Sequence, residues 1–135
     1  MYAKEGILIS EDERVDEKYR IKPNSEEHLS LFYNARIVIF ESWISNKLIK
    51  TAGSTWIQLW HGTPLKKMLY DSEEKEIISV KPNHKIIKFN DIKRWDYLIT
   101  DNENINKYFE RAFLIPKHRI LPLGYPRVEY LIDNK

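Results

Sequence analysis

Apolar positions along the chain gather into short runs separated by amphipathic stretches. The runs "RIVIF" (36–40), "WIQLW" (56–60), "DYLIT" (96–100) and "RILPLG" (119–124) have strand length and are rich in β-branched and aromatic residues. "RIVIF" reads as a buried parallel strand. Pro122 inside the last run predicts an edge position or a strand that ends early. Between strands the period changes. Ile105, Tyr108, Phe109, Ala112 and Phe113 recur at the i, i+3, i+4, i+7, i+8 spacing of a helix with one apolar face. Leu29, Phe32 and Tyr33 share a face of an earlier helix. Asn24 or Ser25 stands where its cap belongs, and Glu27 lies at capping-box distance from Asn24. Thr100 and Glu103 repeat that box. "SWISNKLIK" (42–50) predicts a short helix, and "IIKFNDIKRW" (86–95) predicts another. "TPLKKMLY" (63–70) predicts a helix start, with Thr63 as cap and Pro64 at the first helical position. Pro126 repeats that device in "YPRVEYLI". The leading segment, 1–23, is charged and aperiodic apart from a short strand at Ile7–Ile9.

Alternating strands and helices predict an α/β fold, a mostly parallel sheet with flanking helices and right-handed crossovers. At 135 residues the chain is expected to form a single domain over 1–135.

Composition removes several classes of function. A net charge of +2, from 22 basic and 20 acidic side chains, argues against a nucleic-acid partner. There is no cysteine, so disulfides and thiolate metal sites are excluded. No two histidines have metal-ligand spacing, and neither a GxGxxG nor a P-loop pattern occurs, so no metal or cofactor is expected. No apolar run approaches the roughly 20 residues of a membrane helix. The start "MYAKEGILIS" is too short and charged for a signal peptide. A cytoplasmic place, or one at the cytoplasmic face of a membrane, is therefore expected.

The chemistry concentrates in "WIQLWHGTPLKKM" (56–68). His61 directly follows a strand, where open α/β sheets bind ligands. Gly62 permits a tight turn and close approach. A helix beginning at Thr63 would aim its N–H groups at the same spot, and Lys66 and Lys67 add positive charge. An imidazole beside an anion cradle suits phosphoryl transfer to a hydroxyl. On these residues alone two readings stay open: a general base, or a structural strand-end histidine among solvated lysines. "GYPR" (124–127) has similar logic, with Gly124 ending a strand and Arg127 able to hold a phosphate or to pair with Glu129. His28, His84 and His118 sit among polar residues and read as surface histidines.

"QLWHGTPLKKM", "WDYLIT", an amphipathic helix with "AF", and "GYPRVEYL", in this order over about 24–133, resemble the CDP-glycerol glycerophosphotransferase family of teichoic acid synthesis. The resemblance implies a GT-B enzyme, of which this chain would be the N-terminal, acceptor-side Rossmann-like domain. The second domain, which holds most of the donor CDP-glycerol, would lie outside it. The chain alone is then expected to be inactive, as a fragment or as one piece of a split gene. The resemblance implies transfer of glycerol phosphate, or ribitol phosphate, from a CDP-polyol to a lipid-linked polyol-phosphate acceptor, with peripheral membrane contact. It makes His61 the base and matches Gly62, Thr63, Lys66, Gly124 and Arg127 to the family's motifs; these, with Lys67 from the charge pattern above, are the groups expected around substrate and phosphate. Glu129 stands where the family usually has Asp, and "TDN" (100–102) departs from its more usual loop. Two alternatives remain: a non-catalytic remnant that binds an anionic polymer, and half of a GT-B nucleotide-sugar glycosyltransferase.

Overall fold

A short parallel pair opens the chain: β1 (Leu8–Ile9) runs beside β2 (Arg20–Ile21), with Ile9 opposite Ile21. The structure, a computed structural model, describes residues 8, 9 and 11–126, in two units, Met1–Arg36 and Ile37–Lys135. The first unit continues into α1 (Glu26–Asn34). Its cap is Ser25, whose side chain accepts from the His28 N–H at 3.1 Å, and Asn24 stands one residue outside the helix. The box expected from Asn24 and Glu27 therefore does not form. Asn24 instead adopts a left-handed φ of 63° and donates its N–H to His28 Nδ1 at 2.9 Å. That bond explains why His28, expected at the surface, is buried.

The second unit holds the predicted parallel sheet. Its strands are β3 (Ile37–Phe40), β4 (Thr55–Gln58), β5 (Tyr97–Ile99) and β6 (Ile120–Leu121), all parallel, in the spatial order of the sequence. α2 (Lys75–Val80) and α3 (His84–Ile92) join β4 to β5, and α4 (Glu103–Phe113) joins β5 to β6. The register places Val38 beside Trp56, and Gln58 beside Leu98, which in turn lies beside Ile120. Phe40, Leu98 and Ile120 meet Ile92, Trp95, Ile105, Phe109, Ala112 and Phe113 in one core. α4 buries the face its sequence period predicts, except that Tyr108 stays largely exposed. On the opposite face of β3, Ile37 and Ile39 are about 60% exposed, so this strand is not the fully buried one its composition predicts. It is an end strand of the described sheet, and only its alternate residues, Val38 and Phe40, are even half-buried. β6 stops at Leu121, just before Pro122, and is the other end strand.

Three local expectations fail for physical reasons. The segment 42–50 is a loop, because distant side chains take its backbone groups. The Arg94 guanidinium donates to the carbonyls of Ile44, Ser45 and Leu48, and Asp91 accepts from the Ile44 N–H. The segment 63–68 is irregular, and only a single 3-10 turn forms, at Leu69–Asp71. Lys66 and Lys67 would stand at the positive end of a helix dipole, and Leu65 is 97% exposed, so no apolar face rewards helix formation. The Leu69 N–H is bonded instead to the Glu74 carboxylate at 3.0 Å. α4 is capped by Asn102, which accepts from the Asn104 N–H, and not by Thr100. Thr100 is buried, and its hydroxyl donates to Asn106 Oδ1 at 2.6 Å. The helix expected after Pro126 lies outside the described residues.

Asp96 ties three segments together at the amino end of the sheet. It forms an ion pair with Lys50 and accepts the Trp56 N–H at 2.6 Å. Burial pushes its carboxyl up, but these two bonds and the charges of Lys50 and Arg119 outweigh burial, and its pKa is lowered. A carboxyl with a lower pKa in the folded state stabilises the fold above the ordinary Asp value. That contribution is lost as pH falls through the folded value. Wild-type stability is expected to fall below about pH 4, and Asp96→Asn should flatten that acid limb. Urea midpoints measured from neutral to acid pH test this, and parallel curves for the two proteins would refute the assignment.

Candidate active site

A polar residue inside an apolar strand needs partners, and Gln58 in "WIQLW" is fully buried. Its Nε2 donates to the Ser42 carbonyl at 3.2 Å, and its Oε1 accepts the Trp60 N–H at 2.8 Å. The second bond braces Trp60, whose φ of 58° is unusual for a large residue. The chain therefore turns sharply just past β4, and Gly62 continues the turn at φ 143°. The Trp60 ring packs on Phe113 at 4.9 Å and stacks on His61 at 4.2 Å. His61 is thus held at the carboxyl end of β4 with its ring at the surface.

His61 Nδ1 lies 3.2 Å from the Glu41 carbonyl. A carbonyl oxygen has no proton to donate, so this bond places the neutral imidazole's proton on Nδ1 and the lone pair on Nε2. Glu41 begins the loop that Gln58, Arg94 and Asp91 hold, so the tautomer of His61 depends on that loop. None of these supporting residues was singled out in the sequence. The one available signal was Gln58, a polar residue within an apolar run.

The other predicted residues divide. Thr63, Lys66 and Lys67 are exposed on the irregular segment. Without a helix at Thr63, the backbone anion cradle expected there does not exist, and only the cationic side chains remain. Lys66 and Lys67 line one cavity of about 230 Å³ with Pro64, Met68, Tyr108 and Arg111. His61, Gly62 and Thr63 are not among its walls. Gly124, at φ 81°, donates its N–H to the Thr100 carbonyl at 3.0 Å. It lies past the carboxyl end of β6, two strands and so roughly 10 Å across the sheet from β4. Arg127 lies outside the described residues. Of the other histidines, His118 is exposed, while His84 is partly buried with its Nε2 3.5 Å from Glu74.

The fold defines an α/β domain with His61 and Gly124 beyond the carboxyl ends of two parallel strands, the usual place for ligands in such folds. The chain belongs to the CDP-glycerol:poly(glycerophosphate) glycerophosphotransferase family, whose sequence model matches residues 5–135. The match includes most of the charged leading segment. The teichoic acid poly(glycerol phosphate) polymerase of Staphylococcus epidermidis is 34% identical over 121 residues, which are 85% of this chain and 16% of that protein. The Bacillus subtilis protein of the same name is 37% identical over 114 residues, 78% of this chain and 15% of the relative. A solved structure of the wall teichoic acid polymerase TagF superposes with a TM-score of 0.78 at 33% identity, over 84% of this chain and 28% of the other. A variant of that polymerase soaked with CDPG gives a TM-score of 0.79 at 32% identity, over 85% of this chain and 29% of the other. The chain thus spans about one sixth of these two curated polymerases.

Proposed function

We propose that residues 1–135 form the acceptor-side, Rossmann-like domain of a GT-B polyol-phosphate transferase. The reaction passes glycerol phosphate, or ribitol phosphate, from a CDP-polyol to a lipid-linked acceptor in teichoic acid synthesis. The observation that carries this is His61, set past the end of β4 with Nδ1 tied to the Glu41 carbonyl. In that tautomer Nε2 takes the proton of the acceptor's terminal hydroxyl as its oxygen attacks the β-phosphorus. The new P–O bond forms as the bond to the bridging oxygen breaks, and CMP leaves with that electron pair. Lys66 and Lys67 offset negative charge near the site, Gly124 contributes from the far side of β5, and Arg127 binds phosphate. The groups that hold most of the donor come from outside these 135 residues, and this stretch alone turns nothing over. No described helix is long and apolar enough to cross a membrane. In this reading the acceptor is met by peripheral contact at the cytoplasmic face.

The test is a chimera in which residues 5–135 replace the matching segment of the S. epidermidis polymerase. Labelled glycerol from CDP-glycerol is expected to enter polymer on a lipid-linked acceptor. A folded chimera that incorporates label from a nucleotide sugar and not from CDP-glycerol would overturn the proposal.

A further inference from the structure

The cavity beside the His61 loop has one wall that the sequence did not mark. Helix α4 does two jobs there. Its Phe109 and Phe113 pack beneath Trp60, at 6.2 and 4.9 Å, and so support the ring on which His61 rests. Its Tyr108, Arg111 and Ala112 turn toward the segment 64–68 and close the cavity with Lys66 and Lys67. Asp71, from the 3-10 turn, holds Arg111 from one side. Both carboxylate oxygens accept from Arg111 Nε, at 2.6 and 2.8 Å. The two terminal nitrogens of Arg111 make no hydrogen bond among the described residues, so the guanidinium is anchored while its donors remain available. Lys66 and Lys67 likewise have no ion-pair partner among the described residues. Three cations therefore face one carboxylate, and the phenol of Tyr108 adds a donor and acceptor.

The cavity's volume of about 230 Å³, below the roughly 300 Å³ at which drug-sized pockets begin, matches one phosphate with a short polyol better than a whole nucleotide. We infer that this groove, walled by Lys66, Lys67, Tyr108 and Arg111, is a subsite for a phosphodiester unit of the acceptor chain, behind the terminal hydroxyl that reacts. Arg111 and the lysines bind the phosphate, and Tyr108 bonds the polyol hydroxyl. The inference rests on the polyol-phosphate acceptor of the proposed function. It adds the place where that chain is gripped, beginning three residues past His61.

Titration of the isotope-labelled chain with a synthetic glycerol phosphate trimer, followed by amide NMR, tests it. Saturable shifts are expected at 66–68 and 108–112. Arg111→Gln should weaken trimer binding about tenfold, the loss of a charge-assisted bond. Tyr108→Phe should weaken the trimer and leave inorganic phosphate unaffected. Shifts confined to another surface, unchanged affinity in Arg111→Gln, or inorganic phosphate binding as tightly as the trimer would each overturn the subsite. Circular dichroism confirms the fold of each variant, and Arg111→Lys, which keeps the charge, should recover part of the affinity. The transfer assay of the chimera reads the general function separately. An active chimera with a silent groove removes this inference alone, and a binding groove in an inactive chimera removes the other.

Discussion

His61→Ala, made in the chimera that carries residues 5–135, is expected to lower turnover at least about a hundredfold, the usual effect of losing a general base. The expectation follows from geometry. His61 is the histidine at the carboxyl end of an inner strand, and its Nδ1 bond to the Glu41 carbonyl sets the tautomer that presents Nε2 as acceptor. The ring is exposed and stacks on Trp60. The fold should survive, and the loss should appear in kcat more than in KM, because the proton moves only in the transition state. His118→Ala, at an exposed site on the way to β6, should leave turnover nearly unchanged. Near-normal turnover in a folded His61→Ala chimera would leave His61 as a structural strand-end residue and remove the base from the proposed mechanism.

Much of this was legible in the sequence because it is local. Strand-length apolar runs became β3 to β6, and the 3.6 period from Ile105 to Phe113 became α4, since each pattern carries its own burial. The motif around His61 was legible because strand, histidine and glycine are contiguous. The errors lie where a remote side chain overrides a local preference. Segment 42–50 has helical composition, but Arg94 claims the carbonyls a helix would use. Segment 63–70 has a cap and a proline, but two lysines oppose the dipole and Leu65 finds nothing to pack on. Tyr108 belongs to the apolar period of α4 by spacing, yet it lines a cavity with Arg111. Spacing alone cannot distinguish a tyrosine that packs from one that lines a groove.

Arg94→Ala is expected to destabilise the chain by about 3–5 kcal/mol, the range for breaking one side of a buried ion pair. Arg94 and its partner Asp91 are 16% and 2% exposed at the side chain. The guanidinium donates to Asp91, to the carbonyls of Ile44, Ser45 and Leu48, and to Asn46 Oδ1. Without it, the Ile44 N–H at 3.0 Å is the one hydrogen bond Asp91 keeps among the described residues, and the carbonyls of Ile44 and Leu48 lose their partner, while that of Ser45 keeps the Leu48 N–H at 3.0 Å. Asp91→Asn keeps an oxygen for the Ile44 N–H but turns an amide donor toward Arg94, so the ion pair is lost while Arg94 keeps its loop carbonyls, and the cost should be smaller, about 1–3 kcal/mol. Lys47→Ala, an exposed change in the same loop, should stay within about 0.5 kcal/mol. Urea unfolding of the three variants gives the ranking. The effect should reach the site, because the loop that Arg94 holds begins at Glu41, whose carbonyl fixes His61. In the chimera, Asp91→Asn should therefore lower kcat while leaving KM nearly unchanged, even where the protein is fully folded. A variant series in which Arg94→Ala costs no more than Lys47→Ala would show that the loop is held by other contacts. The proposed control of the His61 tautomer by that loop would then fall with it.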